Sequence, residues 1–292
     1  MHIDDLASLR FAFCGNRFFV LEELFRARLN VVSVAAVRGS HLERTLAANG
    51  TPHCAIWRKA EFLEWLDATP FDVFVSNGCP YIVPPEQVAR GDRLFVNVHP
   101  SYLPDLRGAD PVPGALLMGR DAGATCHVMD AGIDTGDLIS RVAIPYSADL
   151  DAAFLYQLSF LAEKEVFRLA LDRRFQPMGP QEAGADLAYY SKSSADLDID
   201  WSASAEDIVR RVRAFSNRSQ GARFVFDGND YRCFDAELVT NLFLVARKHL
   251  FQENRISLCC EDAIIVRKGD VFVKLKRIEG DLSRLRVGGV LG

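Results

Sequence analysis

FVNVHPSYLPDLRGADPVPGALL (95–117) and GATCHVMDAGIDTGDLI (123–139) are the two pieces of sequence on which the fold turns. The first opens with a short apolar run, Leu94–Val98, that stops at Asn97-Val98-His99-Pro100. Side chains alternate along a strand, so Asn97 and His99 share one face and Val98 takes the other. Pro100 has no N–H for a ladder, so the strand ends there and leaves both polar side chains at its C-terminal rim. Open α/β sheets place their ligands at that rim. Further on, Ile133-Asp134-Thr135-Gly136-Asp137 supplies a carboxylate in a glycine-flanked turn.

An amide, an imidazole and a carboxylate are the parts that acyl transfer to an amine requires. An amide N–H can hold a developing oxyanion. An imidazole can take the amine's proton, and a carboxylate can orient the ring or favour its charged form. None of the three is a strong nucleophile, so attack by the substrate's own amine is the natural reading. Ser101 follows closely, but Pro100 intervenes and no G-x-S-x-G elbow is present, which disfavours a serine hydrolase.

Working outward toward the N-terminus, Leu9–Cys14, Asn30–Val37, Pro52–Ile56 and Asp72–Ser76 read as buried strands. Helices over Phe18–Arg28, His41–Asn49 and Ala60–Asp67 separate them. The second strand, NVVSVAAV, is nearly continuously apolar, as an interior parallel strand should be. Alternation at this spacing predicts an α/β fold with a doubly wound, Rossmann-like parallel sheet. Gly15 invites a dinucleotide site, but G-x-G-x-x-G is absent and an NAD-type cofactor is not supported. Gly78-Cys79-Pro80-Tyr81-Ile82-Val83-Pro84-Pro85 forms a stiff non-helical loop with an apolar tip, before a short helix over Glu86–Arg90.

At these residues the chain resembles the folate-dependent formyltransferases, the methionyl-tRNA and nucleotide amino-sugar enzymes in particular. Asn97-x-His99-Pro100-Ser101-x-Leu103-Pro104-x-x-Arg107-Gly108 carries the likeness, followed by His127-x-Met129-Asp130-x-Gly132-Ile133-Asp134-Thr135-Gly136. The resemblance implies 10-formyltetrahydrofolate as co-substrate, with Asn97, His99 and Asp134 as the catalytic triad. Asp130 competes with Asp134 for the carboxylate role, and the D-x-G-x-D-T-G pattern favours Asp134. The resemblance also implies a pterin pocket at Gly78, Cys79, Tyr81, Ile82 and Val83, with Asp130 beside it. It puts the turn after the first strand near the acceptor. Asn16, Ser101 and Arg107 are the candidate substrate-binding residues, although Asn16 and Arg17 depart from the small-residue and proline pattern usual at that turn. Arg107 either meets an anion of a substrate or ties its loop to Asp105 or Asp110. His127 commonly accompanies the motif, and a structural role is the expectation for it.

Downstream, Gly123–Met129 and Asp137–Ile144 read as strands, and Asp149 as the N-cap of a long amphipathic helix reaching about Leu171. Residues 176–200 are a polar connection. Ser204 and Asp207 fit a capping box, and Ile208, Val209, Val212 and Phe215 make one helical face. Arg210, Arg211 and Arg213 on that helix read as a solvated face rather than a nucleic-acid patch. From Ala222 the periodicity shifts towards two over several short runs, which predicts a small barrel. The expected organisation is a catalytic domain over residues 1–175, a linker over 176–200 and a smaller C-terminal OB-like β-barrel over 201–292.

The chain has 292 residues, enough for a large domain and a smaller one, and 49% of them are hydrophobic. Its net charge of −5 argues weakly against a surface that embraces nucleic acid. No apolar run approaches the roughly 20 residues of a membrane span, and the N-terminus lacks a signal-peptide core. The seven cysteines show no metal spacing and suit buried free thiols in a reducing compartment. Cytoplasmic location, no metal, no membrane and no nucleic-acid partner are the expectations.

The methionyl-tRNA enzymes carry a basic insertion after the second strand, whereas here Val37 runs through Arg38-Gly39-Ser40 straight into a helix. The cations that would neutralise tRNA phosphates are missing there. A small-molecule amine is therefore the expected acceptor, a nucleotide-linked amino sugar first and a hydroxyornithine-like siderophore precursor second. The sugar-modifying relatives also make a homodimer an expectation. A folate hydrolase using the same triad and a non-catalytic binding module are the readings from other classes.

Overall fold

The computed structural model describes residues 3–89, 93–182, 184 and 186–292. Five strands run in chain order as β1 (Arg10–Gly15), β2 (Asn30–Val37), β3 (Cys54–Ile56), β4 (Val73–Asn77) and β5 (Leu94–His99). Helices α1 (Phe19–Arg26), α2 (His41–Ala48), α3 (Lys59–Ala68) and the short α4 (Pro85–Val88) connect them. Arg90, the expected end of that last helix, lies outside the described residues. After helix α5 (Pro111–Met118) come β6 (Ala122–Val128) and β7 (Leu138–Ile144), then the long α6 (Ala152–Asp172). The long helix is capped by Asp151, whose Oδ1 accepts from Phe154 N at 2.8 Å, and not by Asp149 as expected. Helix α2 follows β2 directly, with Ser40 accepting from Glu43 N as its cap.

The sheet order is β3-β2-β1-β4-β5-β6-β7. The first five strands are parallel, but β6 pairs antiparallel to β5 and β7 antiparallel to β6, so the sheet is mixed. The connection from β6 to β7, residues 129–137, leaves no room for the crossover helix that a parallel pairing of those two strands would need. The chain leaves β1 toward one edge and returns to β4 toward the other, and the crevice between their C-terminal ends is the switch point.

Strand alternation builds the core on both faces of this sheet. Phe11, Phe13, Val75, Val96 and Val98 pack in one cluster, and Ala12, Cys14, Phe74 and Phe95 in another. Each fully buried Phe or Val is worth roughly 1.5–3 kcal/mol relative to exposure. Asn97 and His99 fall on the Phe95 side of their strand, where the apolar layer gives way to polar groups.

By its contacts the chain divides into two units. The first comprises the residues up to Pro111, Asp121–Pro145 and Gln157–Tyr190; the second comprises Val112–Arg120, Tyr146–Tyr156 and Ser191–Gly292. In the second unit, α7 (Ala205–Ala214) accompanies β8 (Ala222–Phe226), β9 (Asn229–Val239), β10 (Ile256–Cys259), β11 (Ile264–Lys268) and β12 (Val271–Glu279). These strands form an antiparallel sheet of order β10-β11-β12-β9-β8. Among the described residues no ladder joins β8 to β10, so the strands alone do not close the expected barrel. The last residues occupy the gap instead. Ile256 exchanges hydrogen bonds with Gly288 and Gly289 (2.8 and 3.0 Å), and Val225 exchanges a pair with Gly292 (2.7 and 3.0 Å).

Ser204 accepts from Asp207 N at 3.1 Å and caps α7 as its sequence predicts. The basic residues of that helix are partly exposed, and each is tied to a neighbour. Arg210 pairs with Asp207, Arg211 donates to Asp196 O, and Arg213 donates to the carbonyls of Ala236 and Ala148. All seven cysteines are free thiols, but Cys54, Cys259 and Cys260 are exposed, contrary to the expectation of burial. Among the described residues no helix is long and apolar enough to cross a membrane.

Candidate active site

The ends of β1, β4 and β5 open onto a cavity of about 560 Å³. That volume is in the range of small-molecule and cofactor sites. Asn97, His99, His127 and Asp134 all line it, and Asp134 sits at their centre. Its Oδ1 accepts from Asn97 Nδ2 at 3.1 Å and lies 3.4 Å from His127 Nε2. Its Oδ2 accepts from Gly108 N at 3.0 Å and lies 3.4 Å from His99 Nδ1.

His99 is buried, and its Nε2 lies 3.0 Å from Leu106 O. A carbonyl only accepts, so Nε2 carries the hydrogen and Nδ1 faces the carboxylate. Burial holds the His99 ring below its usual value, against the pull of Asp134 and Leu106 O toward the charged form. At neutral pH His99 is therefore a neutral base with its lone pair beside Asp134. Burial alone would raise the Asp134 carboxyl. The hydrogen bond to His127, the charges of both imidazoles and the Gly108 N–H outweigh it and hold the acid well below the usual carboxylate range.

His127 is the residue the sequence undervalued. The antiparallel register places it directly across from Asn97, whose Nδ2 lies 3.3 Å from His127 Nε2. Its Nδ1 faces Val128 O at 2.9 Å and so carries a hydrogen. The ring is buried in the same cluster as the triad, and no pattern within the chain's own sequence announces that pairing.

Asp134 holds a left-handed φ of +55°, uncommon for a residue with a side chain. The turn around it is braced on one side by Asp130, whose Oδ1 accepts from Gly132 N (3.0 Å) and Thr135 Oγ1 (2.6 Å). On the other side, Gln181 Nε2 donates to Asp134 O and Gly136 O, each at 2.8 Å. Gly136 is required because a Cβ there would run into the Val128 carbonyl of β6.

Gly78, Cys79, Tyr81, Ile82 and Val83 line the same cavity, as does Asp130. Gly78 has φ +70° and an added Cβ would strike Asn16 Oδ1, so only glycine turns the chain there. Ile82 and Ile133 are 60% and 58% exposed, leaving apolar side chains open to a flat ligand at this wall. Cys79 Sγ lies 3.2 Å from Cys14 Sγ. Of the three candidate substrate-binding residues, Asn16 lines the cavity, whereas Ser101 and Arg107 stand outside its lining. The Ser101 hydroxyl donates to Asp105 O at 2.8 Å. The Arg107 guanidinium donates to Gln181 Oε1 and to Tyr189 Oη.

Arg17, unremarked as a site residue from sequence, lines the cavity beside Asn16. Its NH1 lies 3.2 Å from Oε1 of Glu163, a fully buried carboxylate on α6. Burial pushes the Glu163 carboxyl up, opposed by Arg17 and by Asn77. Asn77 Nδ2 donates to Glu163 Oε2 at 3.1 Å and to Val98 O at 3.3 Å, tying the end of β4 to the triad strand. Among the described residues no group of three or more His, Cys, Asp or Glu side chains could hold a metal ion.

Two family models match the chain: Formyl transferase over residues 49–171, and Formyl transferase, C-terminal domain, over residues 192–281. The methionyl-tRNA formyltransferase of Acidiphilium cryptum (strain JF-5) is 33% identical over 201 residues, an alignment spanning 68% of this chain and 64% of that protein. The chain thus spans less than two thirds of that relative's length. Among solved structures, the N-formyltransferase from Helicobacter canadensis, in complex with folinic acid and dTDP-3-aminofucose, superposes with a TM-score of 0.70. It is 17% identical, and the match covers 92% of this chain and 99% of that one. WlaRD, a sugar 3N-formyl transferase in the presence of dTDP and 5-N-formyl-THF, gives a TM-score of 0.69 at 15% identity, with 92% and 97% covered. At those identities the structural likeness establishes the fold alone.

Proposed function

The chain belongs to the formyl transferase family, and from that premise we propose that it moves a formyl group from 10-formyltetrahydrofolate to a primary amine of a small molecule. The observation that carries this reading is the convergence of Asn97, His99 and Asp134 on one cavity with an apolar wall at Tyr81, Ile82 and Val83. The alternatives differ in acceptor rather than in chemistry, and a nucleotide-linked amino sugar is the preferred one. A folate suits the cavity because the wall offers apolar side chains for a ring system and loop backbone for its polar edge.

His99 Nδ1 takes the proton of the attacking amine, and the resulting imidazolium is held between Leu106 O and the Asp134 carboxylate. Asn97 donates an N–H to the oxyanion that forms at the formyl oxygen when the amine attacks the formyl carbon. Asp134 keeps both rings and the amide in register. Gly78 and Cys79 shape the wall that orients the reacting carbon, and Asn16 lies on the side where the acceptor would enter. Collapse of the tetrahedral intermediate breaks the bond between the formyl carbon and folate N10, and the His99 imidazolium gives its proton to that nitrogen as tetrahydrofolate leaves, so no step requires a nucleophile from the protein. The domains proposed for this work are the catalytic one over 1–175, the connection over 176–200 and the C-terminal domain over 201–292.

A methionyl-tRNA acceptor is the second reading, favoured by the name of the Acidiphilium relative. Against it stands the direct passage from Val37 into α2, which leaves no basic insertion to meet phosphates. Purified protein with 10-formyltetrahydrofolate, nucleotide-linked amino sugars, hydroxyornithine and charged initiator tRNA decides between them. Release of tetrahydrofolate with a small amine supports the proposal; release with tRNA alone transfers it to the second reading. Formate release without any amine would make the protein a hydrolase, and no release under any condition refutes the reaction.

A further inference from the structure

The polar segment after α6 reads as a linker in the sequence, yet it returns to the catalytic turn. We propose that Gln181 is a positioning residue for formyl transfer, one that clamps the Asp134 turn and is itself oriented by Arg107. This rests on the reading of the reaction given above. All the hydrogen-bonding capacity of the Gln181 amide is engaged. Its two N–H groups go to Asp134 O and Gly136 O, each at 2.8 Å, and its Oε1 accepts from Arg107 Nε at 3.1 Å and NH2 at 2.6 Å.

The sense of the amide is fixed by its surroundings. Rotating it by half a turn would set an oxygen against two carbonyls and an NH2 group against a cation. Arg107 is locked in turn by Tyr189 Oη at 3.3 Å and by a backbone bridge to the same residue. The object of the clamp is a backbone that would otherwise relax. Asp134 holds φ +55°, a conformation that costs a side-chain-bearing residue free energy, and its two carboxylate oxygens must reach four groups on three different segments. Asp130 braces the turn from within, and Gln181 is the tie from outside it.

Packing alone and positioning make opposite forecasts for two substitutions. Gln181→Glu keeps the shape and the Arg107 contact but turns an oxygen on both carbonyls; Gln181→Ala removes the clamp. Positioning predicts that both lower kcat on the order of 10- to 100-fold, as small misplacements of catalytic groups do, with the KM for folate within about twofold. It also predicts that the His99 imidazole, followed by NMR among the six histidines, titrates at lower pH in Gln181→Ala, because the carboxylate that favours its charged form has moved. Asp134→Asn supplies the reference for that displacement, and circular dichroism confirms that the variants fold. Wild-type kcat and an unchanged His99 titration in both Gln181 variants overturn the proposal. Should the wild-type protein transfer no formyl group at all, the titration still decides whether the clamp exists, and only its role in that reaction falls.

Discussion

Asn97 Nδ2 stands 3.3 Å from Nε2 of His127, and the protonation of that ring sets how many hydrogens the amide keeps free. With Nδ1 turned to Val128 O, a neutral His127 accepts at Nε2 and draws on the second Asn97 N–H, the first already going to Asp134. A charged His127 donates to Asp134 instead and releases that second N–H toward the cavity. The oxyanion donor proposed at Asn97 therefore depends on its neighbour His127. His127→Asn, which cannot carry a charge, is expected to lower kcat on the order of 100-fold with the folate KM little changed. Steady-state kinetics in a fixed acceptor checks this, and a variant within about threefold of wild type would remove His127 from the reaction.

Asp134→Asn should lose at least as much, on the order of 100- to 1,000-fold in kcat, since it touches every other member of the cluster. It should also change the acid limb of stability. The folded carboxyl lies below its unfolded value, so its contribution is fully present above about pH 4 and fades as pH falls through the folded value. Denaturant unfolding of wild type between about pH 5 and about pH 3, a window that brackets the ordinary titration of an unfolded aspartate, should show a loss that Asp134→Asn lacks.

His99 gives a second pH signature with its own sign. Its folded value is lowered by burial, so between that value and about 6.5 the unfolded chain binds the extra proton and stability falls with acidity. The same protonation would remove the base proposed at His99, so kcat/KM should decline on an acid limb centred below about pH 6.5. Repeating the profile with acceptors of different amine basicity separates the limb of the enzyme, which stays in place, from that of the amine.

The Arg17–Glu163 pair is buried on the carboxylate side, and removing either partner leaves the other uncompensated. Arg17→Met and Glu163→Leu are each expected to cost about 3–5 kcal/mol, and the double variant much less than their sum. Urea denaturation of the four proteins in a cycle measures the coupling, and strict additivity would show that the two charges do not depend on each other.

That Asn97 and His99 share one face at the rim was legible because Pro100 ends β5 and side chains alternate along a strand, whereas the place of Asp134 beside them came from the resemblance. The parallel half of the sheet was legible from its β-branched runs. His127 was not, since it meets Asn97 through the antiparallel pairing of β5 with β6, and an alternating strand reads alike in either direction. Arg107 and Gln181 were hidden for a related reason: their contact spans 74 positions of sequence, and local charge made Asp105 and Asp110 look like the nearer partners. The cap of α6 moved from Asp149 to Asp151 because either aspartate fits the composition of a helix start, and only the bond to Phe154 N distinguishes them. The C-terminal barrel was read from a run of short strands with period two, which says nothing of how the edge strands meet.

Asn77 reaches the Glu163 carboxylate across 86 positions of the chain, and Gln181 reaches the Asp134 turn from 47 positions downstream. These ties fix an order of events during synthesis. A nascent chain that has emerged only through β7 holds the motif residues and their strands, but neither support for them. Contacts of such long separation form late and slow the final step of folding. The cavity thus becomes competent only after α6 and the segment beyond it have left the ribosome, so a truncated product would keep the sequence signature without the geometry that gives it meaning.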